Sequence, residues 1–497
     1  MQAPQRNVQP SIPPKVPDWA GPAPVVPVAP CAGWKGLALL AGLALGLRLA
    51  VVFLLWSQQD RPLAYEHGRI AENLLAGRGF SIEFLGVEGP TSQQAPFYPL
   101  LLVPFYAILG PGSPAAILAV QVLQCLAGTL LVLAVVWLAW ALVPQRPQWG
   151  WLAGLVAAVY PTHLYMVTHL QVALWAALVL TVLLALSVSN WRGDSWRGPG
   201  GAGILAGLLL LIEPILGLAL PIVAAVWWRN ARRSEPGCSV YQALKSPLIV
   251  AAVAVVLIAP WMVRNRLVHG QWVFIKSTFG YAFWQGNHPL SWGTDKIPKA
   301  SAETIRRQHD GTLSGMNRAL WEARHETLYI DDVLLKPNGY REFQGLSEPQ
   351  RSALLGRQAW AAICADPSHY GRLCLARLRY FLLFDETNPK AANLVYRVST
   401  VGWLLLAVLG LIASRACWRQ LWPSYAVFAV VMLFHAAVIV SVRFRIPVEP
   451  LSFVWTAAGL DLILAGARRI LHAGSWRTSA TVPGPDRGES SSAAVAV

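Results

Sequence analysis

Two carboxylates, Asp60 and Glu66, follow an apolar run that ends at Trp56, with Pro62 between them and a helix-forming segment, YEHGRIAENLLAG, close behind. A carboxylate at the water boundary, beside a low-dielectric wall, becomes more basic because burial disfavours its charged form. That is what a general base needs in order to accept a proton from an incoming hydroxyl. Six residues apart, the two do not share one helical face. Glu66 is the preferred base, and Asp60, whose place before Pro62 also suits a helix cap or a solvated charge, is the alternative. Much later, Arg264-Asn265-Arg266 follows another apolar run, and Arg443 and Arg445 stand between the last two. Forked guanidinium groups at a lipid boundary suit a phosphate; the ordinary alternative is snorkelling to headgroups.

The elements that must position these groups belong to a membrane protein. Of 497 residues, 55% are hydrophobic and 13% charged, too little polar surface for a soluble chain of this length. Apolar stretches lie near residues 34–56, 114–143, 150–168, 171–189, 201–228, 246–263, 396–414, 422–441 and 448–466. The first has about the 20 residues that a bilayer core requires. The Pro-rich stretch before it lacks a basic region leading into a short apolar core, so it reads as a retained span and not a cleaved signal peptide. The formal charge of +15 could suggest nucleic acid, but the basic residues sit in connectors and tails, where positive-inside bias and anionic lipid account for them.

Connectors holding Arg192 and Arg197, then Arg229, Arg232, Arg233 and Lys245, then Arg415 and Arg419, and the tail from Arg468 read as cytoplasmic. Both flanks of 201–228 are therefore basic. Two short helices folded at Glu213-Pro214 resolve the conflict, since proline ends a helix and disfavours helical geometry just before it; one long tilted span is the alternative. The expected fold class is an all-α polytopic membrane protein of about ten transmembrane helices with a small extracytoplasmic α+β domain. Its parts are a disordered tail (1–33), a transmembrane domain (34–263) with a first outer loop (57–112), the extracytoplasmic domain (264–395), C-terminal helices (396–466) and a cytoplasmic tail (467–497). In the extracytoplasmic domain WVFIKSTF is strand-like and SEPQRSALLGRQAWAAICA helix-like. On this topology Arg264, Arg443 and Arg445 lie outside, against the positive-inside tendency, so something else must favour them.

Arg48, Glu213 and Asp461 fall in or at the apex of apolar segments, where ionisable groups face the protein interior. Glu213, at the hairpin apex, can approach the first loop. Gln121 and Gln124 read as interhelical glue. His163, His169 and His435 show no metal-binding spacing with carboxylates, nor do the six cysteines, of which only Cys364 and Cys374 are placed to pair. Trp284, Trp292 and Tyr281 could stack on a sugar.

In chain order stand an acidic residue after the first span, IAENLLAGRGFS, GPT, PFYPLLL, APWMVRNRLVHGQWVFIKSTFGYAFWQGN and VRFRIPVEPL. The series, over about residues 35–465, resembles the GT-C glycosyltransferases that use polyprenyl-phosphate sugars, the bacterial group similar to protein O-mannosyltransferases and lipid A aminoarabinose transferases. The resemblance implies an enzyme of the inner (plasma) membrane. It would take one sugar from a polyprenyl-phosphate carrier and pass it, with inversion, to a hydroxyl of a lipid, glycan or protein on the outer face. Asp60 or Glu66 would be the base and Arg264, Arg443 and Arg445 would surround the leaving phosphate, with Glu213, Tyr98 and Asn287 in support. Leu63-Ala64 stand where the family often has a paired acidic motif, and Gln171 where a second acidic or polar position is common. Some members bind a divalent metal; with those carboxylates missing, no cofactor is certain. A transporter or flippase of lipid-linked sugars would share the arginines, but the matching halves common in transporters are not seen.

Overall fold

In a computed structural model, the structure describes residues 33–56, 64–189, 197–235 and 237–479. Seven helices among them are long and apolar enough to cross a membrane: Trp34–Trp56, Pro114–Leu142, Pro214–Ser234, Val240–His269, Leu394–Ala413, Arg415–Ala437 and Glu449–Ile470. Phe97–Leu109, Ala173–Val188 and Arg197–Ile212 are apolar but shorter. They are built from Leu, Ala and Val, which propagate helix readily or at small cost. Leu39, Leu54, Val256, Leu405 and Ile412 remain exposed along them, as suits helices solvated by lipid tails.

Small residues let the backbones approach. Gly410 sits against the Trp455 carbonyl and Gly459 against that of Leu406, an approach that any Cβ would block. Gly203 meets Val250 and Val253, and Gly207 meets Ala254 and Leu257. Residue numbers thus rise together along Arg197–Ile212 and Val240–His269, so these helices run parallel. Leu210 and Leu220 belong to one apolar cluster with Ile258, which brings the end of one helix and the start of Leu220–Ser234 together. The chain folds back at Glu213 and the 3₁₀ turn Pro214–Ala219, because Pro214 has no N–H to continue the ladder.

The buried polar groups tie helices together. Arg48 donates to the carbonyls of Ala44 (3.0 Å) and Ala157 (3.2 Å). Gln121 donates to the Thr168 carbonyl (2.9 Å), and Gln124 to those of Val167 (2.8 Å) and His169 (2.9 Å). Asp461 accepts from Trp149 Nε1 (3.0 Å).

The polar insert differs from the α+β expectation. It is helical apart from a two-residue ladder, Lys296–Ile297 against Leu328–Tyr329. The strand-like WVFIKSTF is irregular up to Phe279, because side chains occupy its backbone groups. Asn265 Nδ2 donates to the Val273 (3.4 Å) and Ile275 (3.2 Å) carbonyls, and Trp261 Nε1 to that of Ile275 (3.1 Å). The anticipated helix is present as Glu348–Ala365, opened by a capping box between Ser347 and Gln350. Cys364 and Cys374 are both free. The sheet that does form is in the first loop, where Ser81–Phe84 pairs with Val87–Pro90. Leu85 (φ 51°) and Gly86 (φ 75°) turn it, both central residues having the positive φ of a type I′ hairpin.

Candidate functional site

Glu66 opens the helix Tyr65–Leu75, which buries His67, Ile70, Ala71 and Asn73 and ends before Gly77 and Gly79, both at positive φ. Asn73 Nδ2 donates to the Ser81 carbonyl (2.7 Å) and its Oδ1 accepts from Arg78 (2.6 Å), so the helix and hairpin move as one piece. Phe84 and Leu85 enter the insert's core beside Trp284, Phe343 and Leu355. Trp284 is therefore core and not a sugar platform, whereas Trp292 is exposed.

Two charged side chains fasten this loop. Arg264 Nη1 donates to the Thr91 carbonyl (2.6 Å) and Ser92 Oγ (3.1 Å), and Nη2 to the Phe80 carbonyl (2.9 Å), with the Phe80 and Trp261 rings beneath its charge. From the insert, buried Glu348 accepts from Thr91 Oγ1 (2.6 Å), Ser92 N (2.7 Å) and Ser277 Oγ (2.5 Å). Glu348 escapes a sequence reading because an acidic first-turn residue is ordinary in a capped helix.

The outer arginines separate by environment. Arg445 is buried; its Nε donates to Glu449 (2.5 Å) and its Nη1 to the carbonyls of Phe381 and Leu382 (2.9 Å each). Glu449 also pairs with His163 Nε2 (3.0 Å). Arg443, two residues away on the short helix Val442–Arg445, is exposed over the Phe444 ring and makes no ion pair among the described residues. Phe444 stacks on His435 at 4.6 Å. Glu213, at the chain reversal, pairs with Lys276 at 3.0 and 3.2 Å, both side chains under a fifth exposed.

His67 follows Glu66 on the first-loop helix. Its ring is buried edge-on to Tyr98 (5.2 Å), and Nδ1 has no hydrogen-bond partner. Burial, then the charges of Lys276 and Arg443, push His67 down to about 3, so the ring is neutral at physiological pH. Glu66, the preceding residue, is half-buried and its charge reaches Tyr281 of the insert. The Tyr281 hydroxyl is held well above the ordinary phenol range by burial, then by Asp331 and Asp295, and more weakly by Glu66. Burial opposes ionisation of Asp295, but Lys296 and then Arg443 outweigh it and hold that carboxyl below its ordinary range. The first loop, the insert and the last helices meet here, since Thr91 and Ser92 donate to Glu348 and Asn287 donates to the Val438 carbonyl.

Tyr98 and Asn287 brace this region from behind. Tyr98 donates to Gln124 Oε1 (2.8 Å). Asn287 donates to the Val438 carbonyl (3.1 Å) and accepts from Arg377 (3.0 Å). Asp60 lies outside the described residues. No three His, Cys, Asp or Glu side chains assemble a metal site among the described residues, and no step below is routed through a metal. A 610 Å³ apolar groove between Phe279–Phe283 and Pro349–Ala361 is lined by neither Glu66 nor Arg443.

No family model matches the sequence, and no curated protein does. Among solved structures, the archaeal oligosaccharyltransferase AglB from Archaeoglobus fulgidus, in complex with an inhibitory peptide and a dolichol-phosphate, superposes over 91% of this chain. The TM-score is 0.51, the identity 15%, and 52% of AglB is covered. Its apo form matches with the same score over 89% of this chain and 52% of its own. This chain has the fold of that oligosaccharyltransferase. It is an integral membrane protein that spans about half the length of the oligosaccharyltransferase it matches. ArnT from Cupriavidus metallidurans bound to undecaprenyl phosphate superposes more loosely (TM-score 0.38, 15% identity, 86% of this chain and 77% of that one) and adds nothing to the assignment.

Within this fold, Lys276 is, with Glu348, a charged residue that sequence reasoning passes over. Its signal is a lysine directly after the apolar run Trp272-Val273-Phe274-Ile275, with no basic neighbour within several residues.

Proposed function

We propose that this chain is a membrane glycosyltransferase that moves a single sugar from a polyprenyl-phosphate carrier to an acceptor hydroxyl on the outer face of the inner membrane. The acceptor oxygen attacks the anomeric carbon while Glu66, or Asp60 as the alternative, takes its proton. The bond from that carbon to the phosphate oxygen breaks with its electron pair going to the phosphate, and the configuration inverts. Arg443 faces the phosphate, whose charge grows as the bond breaks, so a cation there stabilises the transition state more than the ground state. Arg264 and Arg445 act at one remove, by fixing the first loop and the last helices. On this topology the helices fold into ten spans with the polar insert outside.

The observation that carries the reading is Arg443, an exposed guanidinium with no ion-pair partner among the described residues, on the short helix that also holds the buried Arg445. The test is release of sugar from lipid-linked donors by the purified chain in detergent, comparing wild type with Glu66→Gln and Asp60→Asn. One of the two is expected to lose transfer by ~10²-fold or more. Undiminished transfer by both rejects the base assignment, and translocation of the lipid without bond cleavage rejects the enzyme.

A further inference from the structure

Glu213 is bound differently from the other interior carboxylates. Glu348 accepts from three first-loop and insert donors, and Glu449 holds both Arg445 and His163. Glu213 has one partner among the described residues, Lys276, and both side chains remain partly exposed. It stands where regular helix has stopped, before Pro214, with extended backbone (φ −148°, ψ 96°). One ion pair in partial contact with water is easily exchanged, since its Coulomb energy is offset by solvation of either partner.

The insert segment that carries Lys276 meets the last helices close to Arg443. Phe279, three residues after Lys276, lies 6.4 Å from the Phe434 ring, and the adjacent His435 stacks on Phe444, the residue after Arg443.

We infer that Glu213 is a placeholder anion: it neutralises Lys276 until the carrier phosphate displaces it, so that Lys276 and Arg443 clasp the phosphate together. This rests on the transferase reading above. The exchange has a direction. A sugar-bearing phosphodiester carries one negative charge, whereas the phosphate released on cleavage carries about −1.5 to −2. The leaving group therefore competes with the Glu213 carboxylate for Lys276 better than the donor does, and the added stabilisation arrives as the bond breaks.

The test is binding of undecaprenyl phosphate to the full chain in nanodiscs, followed by tryptophan fluorescence, with thermal stability measured on each variant. Glu213→Gln should bind the lipid phosphate roughly three- to tenfold more tightly, because Lys276 is freed of its competitor. Glu213→Ala gives the same sign where the amide would still hold Lys276. Lys276→Met should bind about tenfold more weakly, and Glu213→Gln should add nothing in the Lys276→Met background. A structural role for the pair predicts weakened binding in both single variants, in step with lost stability, and that result overturns the exchange. Unchanged affinity in both Glu213 variants, while Arg443→Ala still weakens binding, overturns the exchange and leaves the transferase reading standing. Failure of the wild-type chain to bind the lipid overturns both.

Discussion

Replacing Glu348 by alanine should release the first loop. The carboxylate is nearly inaccessible and accepts three hydrogen bonds of 2.5 to 2.7 Å from Thr91, Ser92 and Ser277, each to a charged acceptor and so worth about 1.5–3 kcal/mol. The freed hydroxyls can rotate to other acceptors, but the Ser92 N–H cannot. The net loss should fall near the ~3–5 kcal/mol typical of breaking a buried charged interaction. Glu348→Gln keeps an oxygen for Ser92 and Ser277 and turns its NH₂ toward Thr91 Oγ1, so it should lose less than half as much. Thermal unfolding in detergent reads the ranking of alanine below glutamine below wild type. Trypsin reads the loop itself, since exposed Arg78 lies between Gly77 and Gly79 and is tied to Asn73; cleavage there should accelerate in Glu348→Ala. An alanine variant within about 1 kcal/mol of wild type, or one cut no faster at Arg78, would show that the loop is held by its apolar contacts with Phe343 and Leu355 and not by this carboxylate.

Arg445→Met leaves Glu449 in the interior without its guanidinium and should cost about 3–5 kcal/mol, whereas exposed Arg443→Ala should stay within about 0.5 kcal/mol of wild type in stability and lose carrier affinity; equal thermal shifts in the two variants would contradict this division of roles. For pH dependence, His67 is near 3 in the fold against an ordinary value near 6.5. The unfolded chain therefore takes up this proton first as pH falls. The contribution is fully present above pH 6.5 and is lost between 6.5 and 3 at about 1.4 kcal/mol per pH unit. Wild type should lose about 2 kcal/mol from this group between pH 7 and pH 5, and His67→Gln should flatten that part of the melting-temperature profile; parallel profiles for the two would refute the buried neutral ring.

The apolar runs were legible because one physical requirement, burial of every backbone polar group within lipid, dictates their length and composition. The reversal at Glu213-Pro214 was legible from two independent local signals, proline chemistry and basic flanks. The insert was less so. WVFIKSTF has the residues of a strand, yet its carbonyls are taken by Trp261 and Asn265 of the preceding helix, a tertiary override that strand propensity does not encode. The first-loop hairpin carries no plain sequence signal, because its Leu85-Gly86 turn places a leucine at positive φ, where Asn, Asp or Gly is usual.

The arginines show how far residue type alone can carry a site. Arg443 and Arg445 are two positions apart on one helical turn, which separates their directions by about 200°. One must face in when the other faces out, so they could not both contact a single phosphate. Spacing predicts the division but not its sense; Glu449, four residues beyond Arg445 and therefore on its face, supplies the sense, because a buried carboxylate draws the guanidinium at that spacing inward. The same reasoning applies to Arg264. A guanidinium with five donors at the exit of a span satisfies carbonyls as readily as phosphate oxygens, and the loop carbonyls of Phe80 and Thr91 are already there. What remains for a ligand is a cation without an ion-pair partner, as Arg443 is among the described residues, or one whose partner can be exchanged, as with Lys276.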